Sequence, residues 1–227
     1  MTGARAGRRA AVFDLDGTLV DSAVAIAAAL NVVRTERGAS PLHADAVRPL
    51  VSRGAAHLVR EVLAETAGDP VEDLAAFRRV YGAVPVDRND LYPGAEAALQ
   101  ALARDGWTLG VCTNKPQRLT ERLLDGMGLA PLFAAVVGGD AVEHCKPHPD
   151  HVFAILERLA AAPHEAVYVG DSEVDAEAAQ AAGVPLVLVS FGYSLGPASE
   201  IACAARIDSF AELPTAFAAS TAVVAPV

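Results

Sequence analysis

The 227-residue sequence predicts an α/β protein, a parallel sheet with helices on both faces that is interrupted after its first strand by an all-helical segment. Three observations lead to this fold class. Short apolar, partly β-branched runs end in polar or glycine residues, as buried strands do. Helical stretches separate these runs from about residue 91 onward, the alternation expected of a sheet covered on both sides. Residues 21 to about 90 hold helix-forming sequence with no strand-like run.

The elements follow in chain order. AAVFD at 10–14 is the first strand. The segments DSAVAIAAALNVVRTERG, LHADAVRPLV, GAAHLVREVLAETAG and VEDLAAFRRVYGAV then form the helical insertion. PGAEAALQALARDG at 93–106 is a helix with Pro93 near its start and Gly106 just past its end. Strands at 107–114 (WTLGVCTN), 134–140 (AAVVGGD), 166–171 (AVYVGD) and 185–190 (PLVLVS) alternate with helices at 116–128, 149–160 and 172–183. The expected organisation is a core of residues 1–20 and 91–227 with a helical cap at 21–90. Loop closure grows costlier only slowly with length, so an exposed βα connection tolerates such an insertion. Ligands of open α/β sheets bind outside the carboxyl ends of the strands, so a module rooted there would cover the site as a lid. The terminal AASTAVVAPV reads as a frayed tail.

Composition narrows the function. With 18 basic against 28 acidic side chains the formal charge is −10, which offers no footprint for polyanions and argues against nucleic-acid or anionic-membrane binding. Any phosphate must therefore meet a local positive site. Cys112, Cys145 and Cys203 are too few and too scattered for a disulfide framework, so a reducing, cytoplasmic setting is expected. Arg5, Arg8 and Arg9 are followed by too short an apolar stretch for an export signal, and no run approaches the ~18 residues of a membrane span. The chain is expected to be a monomer or homodimer.

The strongest chemical signal is FDLDGTLVDS at 13–22, where a strand runs directly into Asp14, Asp16 and Gly17. Asp-Gly often closes hairpins, but here a helix follows instead of a second strand. Two carboxylates at i and i+2 on the ligand edge suit a nucleophile and an acid/base gathered round a divalent cation. Thr113 in VCTNK, Lys146 in CKPHPD, and Gly170, Asp171, Ser172 and Asp175 in GDSEVD follow at later strand ends. In that order and nearly over the whole chain, these residues resemble the four motifs of the haloacid dehalogenase-like hydrolase superfamily. The resemblance implies a Rossmann-like core and an Mg²⁺-dependent enzyme. It also implies that Asp14 attacks phosphorus to form an aspartyl-phosphate, and that Asp16 protonates the leaving oxygen and then activates water. Gly17, Thr113, Asn114 and Lys146 would hold the phosphoryl group. Asp14, the Asp16 backbone carbonyl and Asp171 would hold the metal, and Asp175 would orient that shell.

Within the superfamily Asp16 argues for phosphoryl transfer over dehalogenation, and Thr18 for a phosphatase over a mutase. FDLDGTLVDS, the cap sequence VSRGAAHLV and FGYSLGP look most like the bacterial phosphoglycolate phosphatases, which implies 2-phosphoglycolate as the small phosphorylated metabolite. Arg53, beside Gly54 between cap helices, is the candidate for its carboxylate, since arginine binds carboxylates bidentately. A sugar phosphomutase, a sugar-phosphate or pyrophosphate hydrolase, and a phospho-accepting signalling domain stand as alternatives. His144, Cys145, His148 and His151 lack a paired zinc spacing and read as a polar loop beside Lys146. His43 and His57 read as surface or packed residues, and Trp107 as core. Whether FGYSLGP touches substrate or only closes the sheet stays open.

Overall fold

In the computed structural model, which describes residues 9–222, the apolar run after Arg9 forms β1 (Ala10–Phe13), buried along its whole length. The helical insertion comes next: α1 (Ala23–Glu36), α2 (Ala44–Val47), a 3-10 turn at Arg48–Arg53, α3 (Ala55–Val62) and α4 (Pro70–Ala83). Regular alternation then begins with α5 (Ala95–Arg104), β2 (Thr108–Thr113), α6 (Gln117–Gly126) and β3 (Ala135–Gly138). It continues with α7 (Asp150–Leu159), β4 (Ala166–Gly170), α8 (Glu173–Ala181) and β5 (Leu186–Val189), and ends on β6 (Ala205–Ile207) and α9 (Leu213–Ala222).

The strands form one parallel sheet in the order β3-β2-β1-β4-β5-β6. Alternate side chains of each strand enter opposite cores. Ala11 and Phe13 join Leu99, Val111, Val169 and Phe217 on one face, while Ala10 and Val12 join Cys112, Ile155, Tyr168 and Leu188 on the other. Both faces are covered, which is why the strands read as unbroken apolar runs. Trp107 is buried at the start of β2 and meets Phe217 edge-on, with ring centroids 4.8 Å apart.

Two features correct the expectations from sequence. β6 was not foreseen, because its three residues lie in the mixed stretch CAARID at the sheet edge, where no apolar run forms. The supposed frayed tail is partly ordered, since α9 extends to Ala222 and the tail's Ser220 is buried, its hydroxyl donating to Ala216 O at 2.8 Å. Residues 223–227 of that tail, and Arg5 and Arg8, lie outside the described residues.

The insertion leaves and rejoins the sheet at one place. Asp21 N donates to Asp90 O at 2.8 Å and Tyr92 N to Leu19 O at 3.0 Å, so its two connecting segments run side by side. Its helices bury a cluster of their own, including Ile26, Leu30, Leu58, Leu63 and Phe77. Arg37 Nη2 reaches Asp73 Oδ1 at 2.6 Å and ties α1 to α4, whose start is capped by the Asp69 carboxylate and fixed by Pro70. No helix among the described residues is long and apolar enough to cross a membrane.

Candidate active site

The chain leaves β1 between two strands whose connections run to opposite sides, the switch point where open α/β sheets form a crevice. The carboxyl ends of β1, β2 and β4 deliver Asp14 and Asp16, Thr113, and Asp171 there, and the loop after β3 adds Lys146. All five side chains are buried.

Of the 18 basic residues only two are lysines, and both sit in this crevice. Lys146 Nζ lies 3.0 Å from Asp14 Oδ1 and 2.7 Å from Asp175 Oδ1. Lys115 Nζ lies 3.0 Å from both carboxylate oxygens of Asp16. Each aspartate of the first motif thus has its own ammonium. Burial opposes the charge on both lysines, but the neighbouring carboxylates outweigh it and hold both ammonium groups above the ordinary lysine range.

The carboxylates are not equivalent. Burial raises Asp14, Lys146 opposes it and Asp175 adds to the rise, so that its pKa is pushed up to about 6. Burial, then the charges of Asp175 and Asp14, push Asp171 well above the usual carboxylate range. Asp175 is held below that range despite its burial, because it accepts from Lys146, the Ser172 hydroxyl at 2.8 Å and the amides of Asp171 and Ser172.

The donor set fits a hard divalent cation. Carboxylate oxygens of Asp14, Asp171 and Asp175 lie within 4.8 Å of one another. These three buried carboxylates converge on a single ammonium, that of Lys146. The ammonium of Lys146 is near Asp14 Oδ1 but off-line for a hydrogen bond, so that buried oxygen has no donor among the described residues. Asp175 accepts from five donors, whereas Asp171 accepts one on each oxygen and Asp14 Oδ1 none, so Asp14 and Asp171 keep lone pairs for a cation.

Neighbouring segments fix Asp171. Thr18 Oγ1 donates to its Oδ1 at 3.1 Å and Tyr193 N to its Oδ2 at 2.6 Å. Gly17 and Gly192 close around it. A Cβ at Gly17 would stand 2.4 Å from Asp171 Oδ2, and one at Gly192 would stand 2.2 Å from Asp171 Cβ, so neither position has room for a side chain. The Gly17 amide already donates to Val20 O at 2.8 Å, so this position contributes space and a left-handed turn at φ +87°.

The Asn114 amide nitrogen donates to Ser52 O at 3.0 Å and Lys146 O at 2.9 Å. It therefore ties the insertion to the lysine loop. Thr113 ends β2, and its Oγ1 accepts from Lys115 N at 3.3 Å.

A cleft of about 350 Å³ opens from this cluster between the insertion and the sheet, with Ser52, Arg53 and His57 on one wall and Lys146, Glu173 and Tyr193 on the other. That volume suits a small metabolite. Arg53 and His57 both line this cleft.

Tyr193 of FGYSLGP lines the cleft and braces two aspartates. Besides holding Asp171 through its amide, it donates its hydroxyl to Asp21 Oδ1 at 2.8 Å, where the insertion begins. The histidine-rich loop divides. His151 is buried with Nδ1 accepting from Lys146 N at 3.3 Å, while His144 and His148 face outward beside Asp150.

Sequence reasoning missed Lys115, Ser22 and Tyr81. Ser22 Oγ donates to Asp16 Oδ1 at 2.5 Å, and Tyr81 Oη on α4 accepts from Lys115 Nζ at 2.9 Å. Ser22 stands inside the quoted motif, and Lys115 belongs to a residue type used only twice, so scarcity was a usable signal for it.

A carboxylate triad, two ammonium groups and a strand-end hydroxyl at one switch point are the constellation of an acid-anhydride or ester hydrolase, and the chain belongs to the haloacid dehalogenase-like hydrolases, whose family model matches residues 11–189. Among its relatives is a phosphoglycolate phosphatase of Rhodospirillum rubrum, 42% identical over 214 residues that cover 90% of this chain and 89% of that one. A Haemophilus somnus structure described as "a predicted phosphoglycolate phosphatase" superposes with a TM-score of 0.83 at 26% identity, covering 93% of this chain and 99% of that one. CbbY from Rhodobacter sphaeroides in complex with phosphate gives a TM-score of 0.77 at 25% identity, covering 91% and 96%.

Proposed function

We propose that this protein hydrolyses 2-phosphoglycolate through an aspartyl-phosphate on Asp14, with Mg²⁺ held by Asp14, the Asp16 backbone carbonyl and Asp171. Its family and relatives make it a phosphoric monoester hydrolase of a small phosphorylated substrate. The observation that carries the aspartyl-phosphate reading is the separate pairing of the two motif aspartates, Asp14 with Lys146 and Asp16 with Lys115, while relatives named phosphoglycolate phosphatase support the substrate. Two carboxylates with different cations can take different roles.

Asp14, at the tip of β1 with its backbone N–H fixed to Val169 O at 2.9 Å, is positioned to attack phosphorus. Lys146 and the Thr113 hydroxyl offset charge on the phosphoryl oxygens. Asp16, oriented by Lys115 and Ser22, moves the proton: to the leaving oxygen first, then from the water that cleaves the acyl phosphate. Bound Mg²⁺ supplies charge neutralisation and alignment of the phosphoryl group. Asp175 positions Lys146 and the Asp171 backbone. Residues 21–90 act as a cap that excludes water, with Arg53 meeting the substrate carboxylate.

Phosphate release from 2-phosphoglycolate is expected in the presence of Mg²⁺ and to vanish with EDTA. A panel of small phosphate esters tests the substrate. A sugar phosphate turned over faster than 2-phosphoglycolate, or rearranged without phosphate release, would overturn the assignment.

Arg53→Ala is expected to lower kcat/KM for 2-phosphoglycolate by about 10²-fold, as loss of a carboxylate contact does, while an ester without a carboxylate loses little. Equal losses for both esters would remove Arg53 from carboxylate recognition.

A further inference from the structure

A second hollow lies away from the cleft, and its walls have one chemical character. Arg78 and Arg79 on α4 stand across a cavity of about 460 Å³ from Arg118 and Arg122 on α6, and Leu119 and Asp140 are among its other lining residues. The chain carries a net charge of −10, so a gathering of four arginines at one concavity inverts the prevailing sign.

Outside the hollow, Arg9, Arg158 and Arg206 donate to backbone carbonyls. Arg34, Arg37, Arg48 and Arg88 each meet a carboxylate. The side chains of Arg78, Arg79 and Arg118 have no acceptor among the described residues, and Arg122 donates only to Val84 O at the end of α4. The single acid, Asp140, is engaged at the first turn of α6, where it accepts from Gln117 N at 2.7 Å. Guanidinium groups present paired donors that match phosphoryl oxygens, and here they come from two separate helices.

We propose that this hollow binds a small polyanion carrying at least two phosphoryl or phosphonyl groups, one for each helix, and that binding clamps α4 onto α6. A single phosphate satisfies one wall only. Nucleic acid or an anionic membrane would bring its charge against the acidic remainder of the surface, so a small ligand that fits inside the concavity is favoured.

The clamp reaches the crevice through two short covalent paths. α4 carries Tyr81, whose hydroxyl meets Lys115 Nζ, and Lys115 is three residues before Arg118. Fastening α4 to α6 therefore holds the insertion down beside Asp16. The site is distinct from the hydrolytic cluster and does not depend on the identity of the substrate.

The test is calorimetric titration of the full chain with methylenediphosphonate, a carbon-bridged bisphosphonate that the enzyme cannot hydrolyse, in EDTA. Binding is expected. The exposed pair Arg78→Ala and Arg118→Ala, made together, is expected to weaken it by about tenfold or more, while the corresponding lysine pair retains most of it and Arg53→Ala leaves it unchanged. Hydrogen exchange in residues 70–83 should slow on binding. No binding, equal affinity in the double alanine variant, or loss in Arg53→Ala would overturn the site. Binding without slower exchange would overturn the clamp. Preference for single-stranded RNA or anionic vesicles over the bisphosphonate would also overturn the small-ligand assignment.

Discussion

Asp14→Asn is expected to abolish turnover, by about 10⁴-fold or more, because the amide cannot form the acyl phosphate and Asp16 has no second route to phosphorus. The same substitution has an opposite effect on the metal-free fold. Burial, with the charge of Asp175 and against that of Lys146, raises Asp14 to about 6 in the folded chain from an ordinary 3.8. The folded state therefore binds more protons than the unfolded state between those values, and stability falls as pH rises through that window. At neutral pH this ionisation costs the metal-free protein roughly 3 kcal/mol. Asp14→Asn removes that term, so in EDTA the variant should melt no lower than wild type and show a flatter stability profile between about pH 4 and 6. Added Mg²⁺ should stabilise wild type far more than the variant. Retained phosphatase activity would remove Asp14 as nucleophile. An unchanged pH slope would show that its burial is not strained.

The ease of reading the sheet and the difficulty of reading parts of the site have a common origin. β1, β4 and β5 are buried on both faces, so the requirement for apolar residues shows at every position, whereas β6 at the edge imposes it on Ile207 alone. α9 was hidden because small residues and Pro214 in its first turn give little helical periodicity. In the site, Asp14, Asp16 and Asp171 were legible because each follows its strand directly, and the strand decides where the side chain emerges. The partner of Asp16 was not legible. Lys115 is separated from it by 99 positions, and only the pairing of β1 with β2 brings the two ends together. Tyr193 shows the same limit. Its amide and hydroxyl serve two different aspartates, and nothing local in FGYSLGP says which. Motif spacing identifies the atoms that react, while the residues that orient them depend on tertiary contacts.

Lys115 makes that difference measurable. Its ammonium has both Asp16 oxygens at 3.0 Å and the Tyr81 hydroxyl at 2.9 Å, and neither Lys115 nor Asp16 is appreciably exposed. Removing one partner of a buried pair leaves an uncompensated charge, which typically costs about 3–5 kcal/mol. Lys115→Met should therefore lower stability in urea by that amount and reduce kcat by about 10²–10³-fold, since Asp16 loses the group that aims it at the leaving oxygen. Tyr81→Phe removes one hydrogen bond and should cost only about 1 kcal/mol. The decisive comparison is the double variant Asp16→Asn with Lys115→Met. With no unpaired charge remaining it should recover much of the lost stability, yet turnover should stay lost because no acid/base remains. If Lys115→Met is destabilised but turns over normally, the lysine serves the fold alone. If the double variant is as unstable as the single one, the cost lies in packing and not in the stranded carboxylate.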